Sequence, residues 1–234
     1  MLALPLLLGV AASRPSAWQL VLAGAALAGY LTSSTLQAWT RARRAPEYRR
    51  PILVYGVAFA ILGLVLVIAF PPIVLTLIVA LPAALVVFQG ARPGTRRDLA
   101  NSVAQVAQAL VLVPAAAYVS GEFEVGRIVP YSAVAAAYLL GTVLVVRSVL
   151  RERANAAFAA LSVGFHAAVT VLAFAMLPGG YALLAAGLAA RAVALPVVQR
   201  ARASGARPLR PIHVGIVEIM ASLAVVVVSF ALPL

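Results

Sequence analysis

Residues 51–89 read PILVYGVAFAILGLVLVIAFPPIVLTLIVALPAALVVFQ, with no charged side chain and one internal break at Pro71-Pro72. In a bilayer each backbone N–H and C=O must find its partner within the protein. A helix of about 20 apolar residues does this while rising far enough to cross the hydrocarbon core. The stretch therefore predicts two spans, 51–70 and 73–89, joined by a proline turn. Arginine closes it on both sides, with Arg49 and Arg50 before it and Arg92 after it.

The same pattern extends outward along the whole chain. Apolar runs lie near 1–12, 17–38, 51–70, 73–89, 99–119, 128–147, 156–177, 181–198 and 214–233. Of 234 residues, 64% are hydrophobic and only 10% charged, with a mean hydropathy of +1.06, too little polar surface for a water-soluble domain. The expected fold is all-α: a single polytopic transmembrane helical bundle over residues 1–234 with about nine helices. The count becomes eight if 1–12 and 17–38 are one broken element. Pro51 and Pro72 sit at helix starts, where a missing N–H costs little, while Pro82, Pro114 and Pro196 fall inside spans and should bend them.

The connections alternate in charge. One set carries Arg41, Arg43, Arg44, Arg49 and Arg50, then Arg92, Arg96 and Arg97, then Arg147, Arg151 and Arg153, then Arg200, Arg202, Arg207 and Arg210. The other carries only Arg14 and Arg127, with Pro71-Pro72, Gly121-Glu122-Phe123-Glu124 and Pro178-Gly179-Gly180. Basic loops stay on the cytoplasmic side, so fifteen arginines against two set the orientation. A bacterial cytoplasmic (inner) membrane with a cytoplasmic amino terminus is expected. The net charge of +12 then reports topology and attraction to anionic lipids, and no nucleic-acid partner is expected.

Composition also removes chemistries. Every basic residue is arginine, so no lysine can form a Schiff base, and without cysteine there is neither a disulfide nor a thiolate site. Two histidines, His166 and His213, make a multi-histidine metal site improbable, and the residues indicate no cofactor.

Polar residues inside spans are costly and therefore mark either structural bonds or function. Asp98, Asn101, Gln105 and Gln108 are spaced by three, four and three, which aligns them on one face of the fifth span. They either bond neighbouring helices or line a polar cavity. Asn155, Ser162 and His166 share a face of the seventh span, with His166 about 15 Å along it and near the midplane. Arg191 and Glu218 lie at similar depths on the last two spans, where a structural ion pair or a snorkelling arginine would account for them. Arg147, Arg151 and Arg153 crown the junction between the sixth and seventh spans, where guanidinium forks suit phosphate or carboxylate groups.

The segments Arg49-Arg50-Pro51-Ile52-Leu53-Val54-Tyr55-Gly56, Gly141-Thr142, Arg151-Glu152-Arg153-Ala154-Asn155, Ser162-Val163-Gly164-Phe165-His166 and Val214-Gly215-Ile216-Val217-Glu218 resemble the YwiC-like family of bacterial membrane proteins. The resemblance implies a polytopic bacterial membrane protein and no particular activity. Family members carry a Gln-His-Gly-Ala-Trp-type segment before the first helix, whereas this sequence opens Met1-Leu2-Ala3-Leu4-Pro5; a start upstream of Met1 is expected on that ground. The helix count and cytoplasmic junctions also resemble UbiA-type intramembrane prenyltransferases, whose aspartate-rich motifs at the corresponding junctions hold magnesium and a prenyl diphosphate. Here both junctions lack aspartate and Asp98 is the chain's one aspartate, so prenyl transfer through magnesium is not expected.

Three functional classes follow. The first is binding, with or without chemistry, of an amphipathic anionic molecule (a lipid, prenyl diphosphate or quinone-like compound) in a cytoplasm-facing polar cleft. Arg147, Arg151, Arg153, Asn155, His166, Asp98, Asn101, Gln105 and Gln108 would line that cleft as one connected cavity. The second is a small transporter with a path through Arg191, Glu218 and His166. The third is a non-catalytic subunit of a membrane complex.

Overall fold

A computed structural model describes residues 2–43, 45–90, 99–205 and 209–234. Asp98, Arg44, Arg92, Arg96, Arg97 and Arg207 therefore lie outside the described residues. The described chain forms ten α-helices and two short 3-10 turns, without a strand. The helices are α1 (Ala3–Ala11), α2 (Ala17–Arg41), α3 (Arg49–Ala69), α4 (Val74–Gln89), α5 (Leu99–Leu110), α6 (Leu112–Val119), α7 (Val125–Leu150), α8 (Ala156–Met176), α9 (Gly179–Gly205) and α10 (Pro211–Ala231). The 3-10 turns are Pro46–Tyr48, leading into α3, and Pro71–Ile73, the proline turn between α3 and α4.

Among the described residues, eight segments are long and apolar enough to cross a membrane, α5 and α6 together forming one of them. The chain is a multi-pass membrane protein. Its side chains are arranged accordingly: Leu53, Ile68, Val79, Leu183 and Met176 are large, apolar and exposed, as lipid-facing residues must be.

Several helices outrun their apolar runs. The second reaches Arg41, the sixth span extends over Val125–Leu150, and α9 continues to Gly205. Hydropathy marks the part of a helix in the bilayer, but backbone hydrogen bonding goes on until something stops it. Pro82, Pro130 and Pro196 stay inside unbroken helices. At Pro114 the helix is interrupted at Val111, because proline offers no N–H to the carbonyl one turn earlier.

The chain divides into two compact units, Met1–Ser132 and Ala133–Leu234, each described here by itself. In the first, α2 packs along α3, α4 along α5, and α1 along α6. Its core gathers Leu22 and Ala25 of α2, Leu66 of α3, Ile73, and Ala115, Ala116 and Val119 of α6. Helix α1 has nine residues and rises only about 13 Å, too little to cross alone. It lies against α6 instead, with Leu8 fully buried and Gly9 fitted onto Val113 and Ala116.

One end of this unit collects the arginine-poor connections. Trp18, Phe70, Tyr118 and Phe123 form a row of edge-to-face rings with centroids 5.2, 6.0 and 6.0 Å apart. Such aromatic belts sit at the membrane–water boundary. Beside them Arg14 Nε pairs with Glu122 at 2.9 Å. Ser16 caps α2 and Gln19 returns the bond in a capping box, while Gln19 Nε2 also donates to Ser13 Oγ at 3.0 Å and to the Ala116 carbonyl at 3.1 Å. A buried glutamine thus fastens the α1–α2 turn to α6.

In the second unit α8 packs along α9, and α9 meets α10. Val145 and Val149 of α7, Ala192 of α9 and Val214 of α10 form its apolar core. The arginine-rich end is closed by Leu209 N donating to Gln199 Oε1 at 2.8 Å.

Candidate functional site

The second unit holds a polar node deep inside the membrane span. Arg191 is twelve residues into α9, roughly 18 Å along its axis, so its guanidinium lies near mid-bilayer. Arg191 Nη1 donates to Glu218 Oε2 at 2.7 Å, and the two side chains are only 8% and 13% exposed. Thr142 Oγ1 of α7 donates to the same Glu218 oxygen at 2.9 Å. One turn earlier on α7, the Tyr138 hydroxyl bonds the Glu218 backbone carbonyl at 3.0 Å and the Ser222 hydroxyl at 2.7 Å. The Arg191 guanidinium also stands over the Tyr138 ring, 5.9 Å from its centroid. Three helices therefore share one ion pair, and two hydroxyl-bearing residues spaced four apart on α7 hold Glu218, Thr142 at its carboxylate and Tyr138 at its backbone carbonyl.

Glu218 is the one acidic residue within an apolar span of the second unit, and a lone carboxylate there would be prohibitive. The pairing removes most of that cost, but only partly satisfies the groups. Among the described residues, Arg191 Nε, Arg191 Nη2 and Glu218 Oε1 are buried and meet no hydrogen-bond partner.

His166 is buried on α8, ten residues from either end of the helix. Its Nδ1 lies 2.7 Å from the Ser162 carbonyl oxygen. A carbonyl can only accept, so Nδ1 carries the proton and the neutral ring presents the Nε2 lone pair outward. Nε2 faces the backbone of α7 at Gly141, where a Cβ would come within 2.8 Å of it. Glycine at 141 is what admits the ring, and the next residue, Thr142, belongs to the ion-pair node. Ser162 Oγ is fully buried and without a partner among the described residues.

At the α7–α8 turn, Arg151, Glu152, Ala154, Asn155 and Ala156 line an open depression of about 440 Å³. Arg147 is drawn down beside Glu152 at 3.7 Å and stands over the Phe158 ring at 6.0 Å, while Arg153 and Arg151 are exposed. Arg153 Nε donates to the Leu150 carbonyl at 3.3 Å. Asn155 is the N-cap of α8: its Oδ1 accepts from Phe158 N at 3.0 Å, and its Nδ2 reaches Glu152 at 3.3 Å. Asn155 thus caps α8 and also lines the depression.

The polar face of the fifth span falls in the first unit. Asn101 is buried there against Gly90, and Gln105 and Gln108 are half-buried one and two turns on. Among the described residues no group of three or more His, Cys, Asp or Glu could hold a metal ion.

Tyr138 and Ser222 were not singled out by sequence, and Thr142 entered only within the Gly141-Thr142 segment of the family resemblance, without a role. Their signal is a spacing of four, Tyr138 to Thr142 on α7 and Glu218 to Ser222 on α10, which places each pair on one helix face. Gln19 was missed too, although Ser16-Ala17-Trp18-Gln19 is a capping-box sequence.

Lipid-facing helices and a buried ion pair braced by hydroxyls define the class: a polytopic helical membrane protein with a polar interior. The family model of the YwiC-like protein matches residues 1–118, half of the chain, and the chain belongs to that family. The match takes in Arg49–Gly56 but ends before the Arg191–Glu218 node. No curated protein and no solved structure matches the chain.

Proposed function

We propose that the protein sits in a bacterial cytoplasmic membrane and binds an amphipathic anionic molecule at its arginine-rich, cytoplasmic end. The arginine alternation assigns the amino terminus to that side, and α1 ends at the arginine-poor side. The supporting observation is the depression at the α7–α8 turn. Arg151 contributes charge there, and the first turn of α8 lies under it, so unpaired backbone N–H groups and the helix dipole favour an anion. Arg153 adds a second exposed guanidinium on the same turn, while Arg147 is largely buried beside Glu152. A phosphate or carboxylate head would rest on this turn with its apolar tail in the surrounding bilayer. His166 is the interior polar group of the same unit that a larger head would reach.

Native mass spectrometry of the detergent-solubilised protein tests this. A co-purifying anionic lipid or isoprenoid adduct is expected, with its occupancy reduced about tenfold in the R151Q/R153Q double variant, the loss of one to two charge-assisted bonds. Equal occupancy in the double variant would refute the assignment to this turn.

A further inference from the structure

Beyond that turn, we propose that the Arg191–Glu218 node is an intramembrane binding site for a monocarboxylic acid, taken up together with its proton.

The atoms left over by the ion pair point to this chemistry. A guanidinium has two edges that can hold a pair of acceptors. Nη1 is committed to Glu218 Oε2, whereas Nε and Nη2, which make no bond to the described residues, together form the side-on edge. That edge offers two parallel N–H donors and matches a planar group with two oxygens. Glu218 Oε1 is the third unpartnered atom, and it can only accept. Two donors and one acceptor, all buried at mid-membrane, ask for a ligand that accepts strongly and also donates once. A carboxylic acid group does both: its oxygens accept from Arg191, and its single proton is shared with Glu218 Oε1.

Charge leads to the same ligand. Arg191 and Glu218 already cancel, so a bare carboxylate would leave a net negative charge in the low-dielectric interior, and a phosphate dianion would leave two. A carboxylic acid that brings its own proton leaves the node neutral. Whether the proton rides on the ligand or on Glu218, the count is the same, one proton per acid bound. The titratable and charged groups around the node are Tyr138 of α7, His166 of α8, Arg191 of α9 and Glu218 of α10. Tyr138 is engaged by Ser222 and the Glu218 carbonyl, and His166 turns its Nε2 against the α7 backbone at Gly141, which leaves Glu218 as the proton's natural partner.

The test is thermal unfolding of the full chain in detergent, titrated with butyrate, hexanoate and octanoate, each against its own amide and against inorganic phosphate. The acids should raise the unfolding temperature saturably, by about 5–10 °C at a hundredfold excess over the dissociation constant. The amides and phosphate should not. Above the acid's own pKa, the apparent dissociation constant for total carboxylate should weaken about tenfold per pH unit, the mark of one proton bound with each acid. R191K keeps a charge opposite Glu218 but lacks the planar edge, and should lose the response; if it does not purify as a single species, R191Q/E218Q removes both charges at once and must lose it as well. R49Q/R50Q, which alters two exposed arginines that belong to neither site, should respond like the unaltered chain, and the loss in R191K, which leaves the turn intact, separates this site from the turn. A response to the amides equal to that of the acids, a response retained by R191K or R191Q/E218Q, or no response to any acid would overturn the proposal.

Discussion

Replacing Glu218 with alanine should destabilise the protein by about 3–5 kcal/mol, the usual consequence of removing one partner from a buried ion pair. Arg191 would keep its charge at mid-membrane while losing the 2.7 Å bond to Glu218 Oε2, and its Nε and Nη2 have no partner among the described residues to fall back on. Thr142 would lose its acceptor in the same step. Arg191→Ala should be comparably damaging, because it leaves the carboxylate with only the Thr142 hydroxyl. The double change removes both charges, so its cost should be well below the sum of the two. Thermal unfolding of the four proteins in one detergent closes the cycle, and strict additivity would mean that the pair does not interact.

Outside the ion pair, Gly9→Ala should be the most damaging of these single changes, about 1–3 kcal/mol, despite adding one methyl group. A Cβ at position 9 would stand 2.6 Å from Ala116 Cβ and 2.7 Å from the Val113 carbonyl oxygen. Neither can yield easily, since Val113 and Ala116 are completely buried and one of the contacts is backbone. Helix α1 must therefore lift off α6, taking buried Leu4 and Leu8 with it. Gly63→Ala supplies the control: nothing lies within 4 Å of a Cβ there, and the same methyl should be neutral or slightly stabilising. Equal unfolding temperatures for the two variants would show that α1 is not docked on α6 in the membrane.

How much of this could be read from sequence depended on the physical signal each part leaves. The apolar runs and arginine clusters are strong signals, because a span must satisfy its backbone internally and guanidinium groups stay near water. That Arg191 and Glu218 would meet followed from depth alone, since their helices are neighbours joined by a short connection. The hydroxyl brace was not legible. Thr32, Thr35 and Thr40 on α2 are equally polar yet only bond carbonyls four residues back on their own helix. Nothing in composition distinguishes them from Thr142, whose partner is 76 residues away. Position also concealed the role of Asn155: its place before an apolar run and beneath arginines reads as a ligand-binding group, whereas its bond to Phe158 N shows that it caps α8. The docking of α1 was hidden for a different reason, since it depends on the closeness that Gly9 permits and not on apolar length.

Reporter fusions across the arginine-rich and arginine-poor connections test the central claim, a multi-pass protein oriented by its arginines, most directly. Fusions after Arg44, Arg97, Arg153 and Arg207 should report the cytoplasm, and fusions after Phe123 and Gly179 the outside. Two or more of the six on the opposite side would contradict the alternation on which both the spans and the cytoplasmic placement of the α7–α8 turn rest.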